Sequence, residues 1–146
     1  MDFGFVKKEN SHFLDVSAES IAILEKHLNA RIPRELSIFY ETIGYGFLDV
    51  KKFNINRVMD PISVLEFRTR TGDYEHYPYI EGYEKYEENK IVFFEQNESA
   101  YLSIELTENE NARVYYYNTV IAKSLYEFFS NMVEDDRYYL ELYEDE

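Results

Sequence analysis

Apolar residues recur at helical spacing in a short segment near the start of the chain. Ile21, Leu24 and Leu28 fall on one face of a helix. Ser17 precedes this face as a favourable N-cap, and Asn29 follows it as a residue that accepts the left-handed backbone of a helix end. The pattern therefore predicts a first helix between Ser17 and Asn29.

A second helix is predicted to follow after a fixed corner. Pro33 suits the first position of a helix, where no amide donor is needed. The expected end lies at Gly44 and Gly46, which permit positive φ angles. The apolar face that this helix would bury consists of Leu36, Phe39, Tyr40 and Ile43.

One strand and one further helix are predicted before residue 72. The strand is expected between Phe47 and Met59, where Phe53 and Ile55 alternate with asparagines. Asp60 followed by Pro61 is a helix start, because it places an N-cap before a proline at the first helical position. This helix is expected to end by Gly72, and its apolar residues are Val64, Leu65 and Phe67.

Three strands and a closing helix are predicted in the second half of the chain. Residues 91–94 are uniformly apolar, which indicates a strand covered on both faces. Residues 102–107 alternate apolar and polar positions, which indicates one buried face, and residues 114–117 give the third strand. The short polar connections between them favour antiparallel hairpins. Ser124 and Glu127 form a capping box that predicts the closing helix.

Together these elements predict an α+β fold. A mostly antiparallel sheet of about four to six strands, the usual sheet size, would be packed by the N-terminal helix pair and the C-terminal helix. A chain of 146 residues is expected to form a single domain over residues 1–146.

Four short pieces in the N-terminal part of the chain follow one another in a fixed order: Ile21-x-x-Leu24-Glu25, Leu28-Asn29, Ile32-Pro33-x-x-Leu36 and Phe39-Tyr40. Their order and spacing resemble the N-terminal signature of the SUKH superfamily, which includes the fungal Smi/Knr cell-wall regulators and many bacterial toxin-immunity proteins. Gly44-Tyr45-Gly46 stands where the family usually has an Asn-Gly-Gly-like turn. The predicted closing helix, with the serine before it, resembles the closing helix of the family.

The chain is strongly acidic, with a formal net charge of −14. Nucleic acid and anionic membranes would be repelled, so neither is expected as a direct ligand. A basic protein partner is compatible with this charge, and so is simple solubility without any basic partner. Residues 1–13 lack the apolar run of a signal peptide, and no later stretch approaches a membrane span, so a soluble cytoplasmic protein is expected.

Aromatic residues are unusually frequent. The chain has 15 tyrosines and 11 phenylalanines but no tryptophan and no cysteine, so disulfides and thiolate metal sites are excluded. A buried tyrosine needs a hydrogen-bond partner for its hydroxyl group. Some tyrosines are therefore expected at the surface, where such rings are favoured in interfaces.

A candidate partner-binding surface lies in residues 73–90, which combine acids with tyrosines and are predicted to form a long surface loop, with a short helical turn near residues 84–88. Carboxylates would pair with lysine or arginine of a partner, and the rings would take stacking or cation–π contacts. In the alternative, the tyrosines fold back over the sheet edge while the acids stay solvated. Tyr138, Tyr139 and Tyr143 give the acidic tail a weaker second patch. The candidate binding residues are Asp73, Tyr74, Glu75, Tyr77, Tyr79, Tyr83, Glu84, Tyr86 and Glu87.

The residues do not predict a catalytic or metal site. His12, His27 and His76 are far apart, and no second histidine stands at the spacing that a metal site needs. Neither a nucleophile elbow nor a glycine-rich phosphate loop is present. The sequence thus predicts no catalytic residues, no metal and no cofactor, and a protein that is not an enzyme.

The resemblance implies an immunity protein that binds and neutralises a cognate polymorphic toxin domain, often a nuclease, inside the producing cell. A nuclease carries a basic substrate-binding surface, which an acidic and tyrosine-rich protein can cover. The expected partner is a cognate toxin with such a surface. Two alternatives stay open: a regulatory module that binds a host enzyme or signalling protein, and a small hydrolase or transferase with an unrecognised carboxylate site.

Overall fold

The computed structural model describes residues 1–142, in which seven strands form one antiparallel sheet. The strands lie side by side in the order in which they occur along the chain. The predicted α+β class is confirmed, whereas the predicted strand number of four to six is too low. The strands are β1 His12–Leu14, β2 Tyr45–Phe47, β3 Arg57–Val58, β4 Lys90–Asn97, β5 Ala100–Glu105, β6 Val114–Tyr116 and β7 Thr119–Ala122.

Helical elements fill the connections between the strands. Two α-helices link β1 to β2, a third follows β3, and a fourth follows β7. Short 3₁₀ helices lie at Gly4–Val6, Gly72–Tyr74, Pro78–Tyr86 and Tyr138–Glu141. Within residues 1–142, no helix has the length and apolar character needed to cross a membrane. The α-helices are α1 Ala18–Leu28, α2 Arg34–Thr42, α3 Pro61–Thr69 and α4 Leu125–Glu134.

The predicted helix ends are confirmed at three of the four α-helices. The Ser17 hydroxyl accepts a hydrogen bond at the start of α1, and Asn29 ends it with a φ of 52°. Asp60 caps α3 ahead of Pro61. The capping box of α4 is confirmed on one side only: the Ser124 hydroxyl accepts from the Glu127 amide at 3.0 Å, but the Glu127 carboxylate accepts from the amide of the residue before Ser124. At α2, Pro33 is the N-cap rather than the first helical residue.

Three strand predictions need correction. The strand predicted between Phe47 and Met59 is confirmed only at β3, whereas Phe53 and Ile55 lie in a bent loop of residues 48–56, in which Asn56 adopts a left-handed φ of 48°. The short edge strands β1 and β7 were not predicted. Strand β5 was expected to have one buried face, yet Ser103 is as buried as its apolar neighbours. Alternation misled here because both faces of the sheet are covered at this strand.

The two faces of the sheet are covered by different layers. Leu102 pairs with Phe94, and the Phe94 ring lies 5.2 Å from that of Phe128 in α4. The preceding residue, Tyr101, points to the opposite face, where its ring lies 4.9 Å from Phe67 of α3. The first layer is the core that α2 and α4 share, and the second positions the candidate site.

A buried carboxylate joins α2 to α4. Glu35 is 1% exposed, and no arginine or lysine pairs with it in the described part of the chain. Its oxygens accept hydrogen bonds from the amides of Leu125 at 3.0 Å, Tyr126 at 3.1 Å and Ala112 at 3.3 Å. Two of these amides are the first in α4, where the helix dipole favours negative charge. Glu35 therefore fixes where α4 begins relative to α2 and the β5–β6 connection.

Candidate partner-binding surface

The candidate surface lies on residues 72–88, here called the acidic segment. These residues form two 3₁₀ helices, Gly72–Tyr74 and Pro78–Tyr86, where the sequence predicted a loop with one short turn. Pro78 stands at the start of the longer helix, a position that suits proline because no amide donor is needed there. The segment therefore has a defined conformation. Its buried side chains, which include Tyr74, Tyr83 and Glu87, are here called the inner set, and its exposed acidic side chains are called the outer set.

Two tyrosines of the acidic segment belong to the inner set. The Tyr83 hydroxyl donates to the carbonyl of Ser99 at 3.2 Å and accepts from the amide of Tyr101 at 3.1 Å. Tyr74 packs edge-on against Phe67 at 5.1 Å. Both side chains are less than a tenth exposed. They fold back over the sheet, as in the second alternative from the sequence, and their rings are not available to a partner in this conformation.

Burial also changes the acidity of these phenols. Burial raises the pKa of Tyr74 to about 12, although the nearby Arg57 guanidinium opposes the shift. The same cause raises the pKa of Tyr83 further. A phenol of ordinary pKa, about 10, is already neutral at physiological pH, and the raised pKa keeps Tyr74 and Tyr83 neutral to higher pH still.

Three more tyrosines were predicted for this surface. Tyr77 is half-buried, and its hydroxyl donates to the carbonyl of Glu98 at 2.8 Å. Tyr86 is half-buried beside Tyr117, with a ring distance of 5.2 Å. The side chain of Tyr79 lies outside the described part of the structure. Tyr77 and Tyr86 are thus intermediate in burial between the inner and outer sets.

Glu87 attaches the end of the acidic segment to Arg70, the residue that ends α3. Its two carboxylate oxygens accept from Arg70 at 3.2 and 3.0 Å, and the residue is 7% exposed. Burial raises the pKa of Glu87, while the Arg70 guanidinium opposes that shift. Glu87 was predicted to bind a partner, but its carboxylate is already bound by this arginine. It supports the segment from inside.

The outer set is acidic. Asp73, Glu75 and Glu84, all predicted from the sequence, are exposed to solvent. Glu81 and Glu88 are exposed as well and were missed, because the sequence alone does not show which acids of the segment face outward. An open groove of about 420 Å³ runs along this side of the segment. The outer set therefore presents carboxylates on a fixed backbone.

The carboxylates with a shifted pKa do not form an acid–base pair within residues 1–142. Glu87 is held by Arg70, as described above. Glu105 is bonded to Arg113 at 3.1 Å, and these bonds lower its pKa although burial opposes them. Each carboxyl group thus has its own arginine. The same part of the chain contains no cluster of three or more acidic or histidine side chains arranged to hold a metal ion.

The tyrosines of the predicted second patch close an edge of the sheet. Tyr138 donates its hydroxyl to the carbonyl of Ile121 in β7 at 2.7 Å. Tyr139 is fully buried against Tyr116, with a ring distance of 5.0 Å. Tyr143 lies outside the described residues. Tyr138 and Tyr139 therefore anchor the C-terminal segment.

Two comparisons place the chain among known proteins. The profile of a family described as SMI1-KNR4 cell-wall matches residues 18–129, which include α1 to α4 up to Phe129 and all strands after β1. The chain is also similar to a protein of Bacillus subtilis (strain 168) named immunity protein YxxD. The two are 47% identical over 148 aligned residues, which cover 100% of each chain.

Proposed function

This chain belongs to the SMI1-KNR4 family of the SUKH superfamily, and from that premise we propose that it is an immunity protein. In this role it binds a cognate toxin protein and neutralises it. The observation that carries the proposal is the full-length similarity to an immunity protein at 47% identity. Neutralisation by binding needs no catalytic group, so a scaffold with an exposed recognition surface is sufficient.

The outer set of the acidic segment is the surface that binds the toxin in this proposal. Asp73, Glu75 and Glu84 lie together on one fixed stretch of backbone in a chain with a net charge of −14. Such a surface complements a basic one, and a toxin that is a nuclease must carry basic groups where its substrate binds. Attraction between opposite fields would raise the association rate to about 10⁸–10⁹ M⁻¹s⁻¹ at low salt. Tyr77 and Tyr86 add ring edges beside the carboxylates.

Rigidity supports this assignment. The inner tyrosines and Glu87 attach the acidic segment to α3 and to the turn between β4 and β5. A surface that is already ordered loses less conformational entropy when it binds. The outer carboxylates would therefore meet the toxin without rearrangement of the segment.

The alternative is a regulatory module that binds a host enzyme or signalling protein. The cell-wall description of the matching family favours it. Both functions use binding without catalysis, and they differ in the partner. The two functions can be distinguished by an experiment: protection of cells against a toxin would support the immunity function and not the regulatory one.

Co-expression with the product of the adjacent gene, as the candidate toxin, tests the proposal. Cells that carry the toxin should survive only with this chain, and the two proteins should co-purify. If the cells die and no complex forms, the chain is not the immunity protein of that toxin.

A charge-reversal variant tests the surface. The double variant Glu75→Lys, Glu84→Lys should slow association and flatten its salt dependence, while thermal stability stays nearly unchanged because both residues are exposed. Glu9→Lys, Glu134→Lys is the control, since it changes net charge equally at exposed positions outside the acidic segment. Glu87 is left intact because its reversal would break the bond to Arg70. Equal effects of the two double variants would exclude the acidic segment as the binding surface.

A further inference from the structure

A second surface feature lies beside the acidic segment. The loop between β2 and β3 carries Phe53, whose side chain is completely exposed at 103%. Phe53 forms one wall of a groove of about 550 Å³, here called the Phe53 groove. Leu140, which is 42% exposed, and Arg137 line the same groove from the C-terminal segment. The groove thus brings the apolar side chains of Phe53 and Leu140 together with two cationic residues, Lys52 and Arg137, in a lining that is otherwise mostly polar and includes Asp136.

The two walls of the Phe53 groove are tied together by one residue. The side-chain amides of Asn54 and Asn56 donate to the same Asp136 carboxylate oxygen, at 3.2 and 2.8 Å. The side chain of Gln96 donates to the Asp136 carbonyl at 2.7 Å. The Phe53 loop, strand β4 and the C-terminal segment therefore hold a fixed relative position, so that the groove exists before any partner binds.

The Phe53 groove is continuous with the acidic segment. Ser99, in the turn between β4 and β5, lines the groove. Its carbonyl accepts from Tyr83, and the carbonyl of the neighbouring Glu98 accepts from Tyr77. One side of this turn thus supports the acidic segment while the other side faces the groove. A partner that covers the outer set can reach the groove across the turn.

The acidic segment by itself lacks what binding surfaces usually contain at their centre. Interfaces have an apolar core surrounded by a polar rim, and aromatic residues contribute most of the binding energy. Tyr74 and Tyr83 are used inside the fold. Phe53 is the fully exposed ring among the described residues, and its groove adjoins the acidic segment through the turn at Ser99.

We propose that the Phe53 groove is the apolar anchor of the toxin-binding surface, which rests on the immunity function proposed above. Its occupant is an apolar side chain of the toxin, preferably aromatic, that stacks on Phe53 and contacts Leu140. Lys52 and Arg137 complement a carboxylate next to that side chain, whereas a basic neighbour would be repelled. The toxin therefore presents two regions, a basic one to the acidic segment and an apolar one with a neighbouring acid to the groove.

Binding kinetics of the purified toxin domain test the anchor. Phe53→Ser should weaken the complex at least tenfold, chiefly through faster dissociation, and should leave the salt dependence unchanged because an apolar contact is lost. Lys52→Glu, Arg137→Glu should also weaken binding. Ile23→Ala on α1 is the matched control, since it removes a 43% exposed apolar side chain outside the groove and should have no effect.

The outcomes separate this inference from the proposed function. If Phe53→Ser binds within twofold of the wild type while the Glu75→Lys, Glu84→Lys variant is weakened, the anchor is overturned and the acidic segment stands alone. If the wild-type chain forms no complex with the toxin, the immunity function itself is overturned. Thermal melting of the Phe53→Ser variant should match the wild type, because the ring makes no contribution to the core.

Discussion

Removal of the buried Glu35 carboxylate should destabilise the protein more than any surface change. The carboxylate bonds three amides in the interior, and two of them begin α4. Glu35→Ala leaves all three donors without an acceptor. Glu35→Gln keeps one acceptor oxygen but turns an amide group toward a backbone donor.

The expected loss follows from these bonds. A buried donor left without a partner costs about 1–3 kcal/mol, and the negative charge at the start of a helix adds about 0.3–1 kcal/mol. Water entering the vacated space would satisfy part of the three amides. Glu35→Ala should therefore lower the free energy of unfolding by about 3–6 kcal/mol and Glu35→Gln by about 2–4 kcal/mol. Either loss is a large share of the roughly 5–15 kcal/mol that folded domains possess.

Urea unfolding followed by circular dichroism measures this loss. The midpoint should fall for both Glu35 variants, with a larger fall for alanine. Glu41→Gln is the matched control, because Glu41 lies on the same helix and is exposed, so its midpoint should hardly move. A loss below about 1 kcal/mol for Glu35→Ala, the size of one ordinary hydrogen bond, would show that α4 is positioned by its apolar contacts and not by this carboxylate.

Three further predictions concern the backbone and the buried tyrosines. Gly44→Ala should lower the melting temperature strongly, because the added Cβ would lie 2.0 Å from the Leu14 carbonyl oxygen and the φ angle of Gly44 is +111°. Gly82→Ala is the control and should leave the melting temperature unchanged, because a Cβ at Gly82 meets nothing within 4 Å. Tyr83→Phe should cost about 1–2 kcal/mol of unfolding free energy in a urea titration, since it removes a hydroxyl that makes two hydrogen bonds; a neutral result would mean that water replaces both. Burial raises the pKa of Tyr101 and Tyr139 far above the ordinary value of about 10. As the pH rises, these two phenols therefore ionise at a lower pH in the unfolded chain than in the folded chain. The free energy of unfolding should be unaffected by them below pH ~10 and should fall as the pH rises above it. A titration of tyrosinate absorbance should show these phenols ionising only on unfolding, and ionisation of every tyrosine near pH ~10 in the folded state would contradict the buried assignment.

Local signals in the sequence predicted most of the helical structure. Caps and left-handed stops are decided by one or two residues, which is why Ser17, Asn29 and Asp60 were identified correctly. Strands β1 and β7 were not predicted, because a strand of three or four residues is too short to show a periodic pattern. Their conformation depends on pairing with the neighbouring strands β2 and β6. Phe53 was assigned to a strand because apolar and polar residues alternate around it. This alternation does not show whether the ring is buried against a sheet or projects into solvent from a loop.

The candidate site was harder to predict than the fold. The sequence located the acidic segment but could not separate Tyr83, which bonds across to β5, from the exposed Glu84 beside it. That separation depends on the 3₁₀ geometry and on the distant turn at Ser99. The Phe53 groove was not predicted at all, because Asp136 joins its walls across 80 residues of sequence.

The division of the acidic segment into an inner and an outer set has an evolutionary consequence. Substitutions at exposed positions usually change stability by no more than about 0.5 kcal/mol. Asp73, Glu75 and Glu84 can therefore be exchanged while Tyr74 and Tyr83 continue to hold the segment in place. The exposed residues of the acidic segment can therefore vary in charge and size while the buried tyrosines keep the backbone of the segment unchanged.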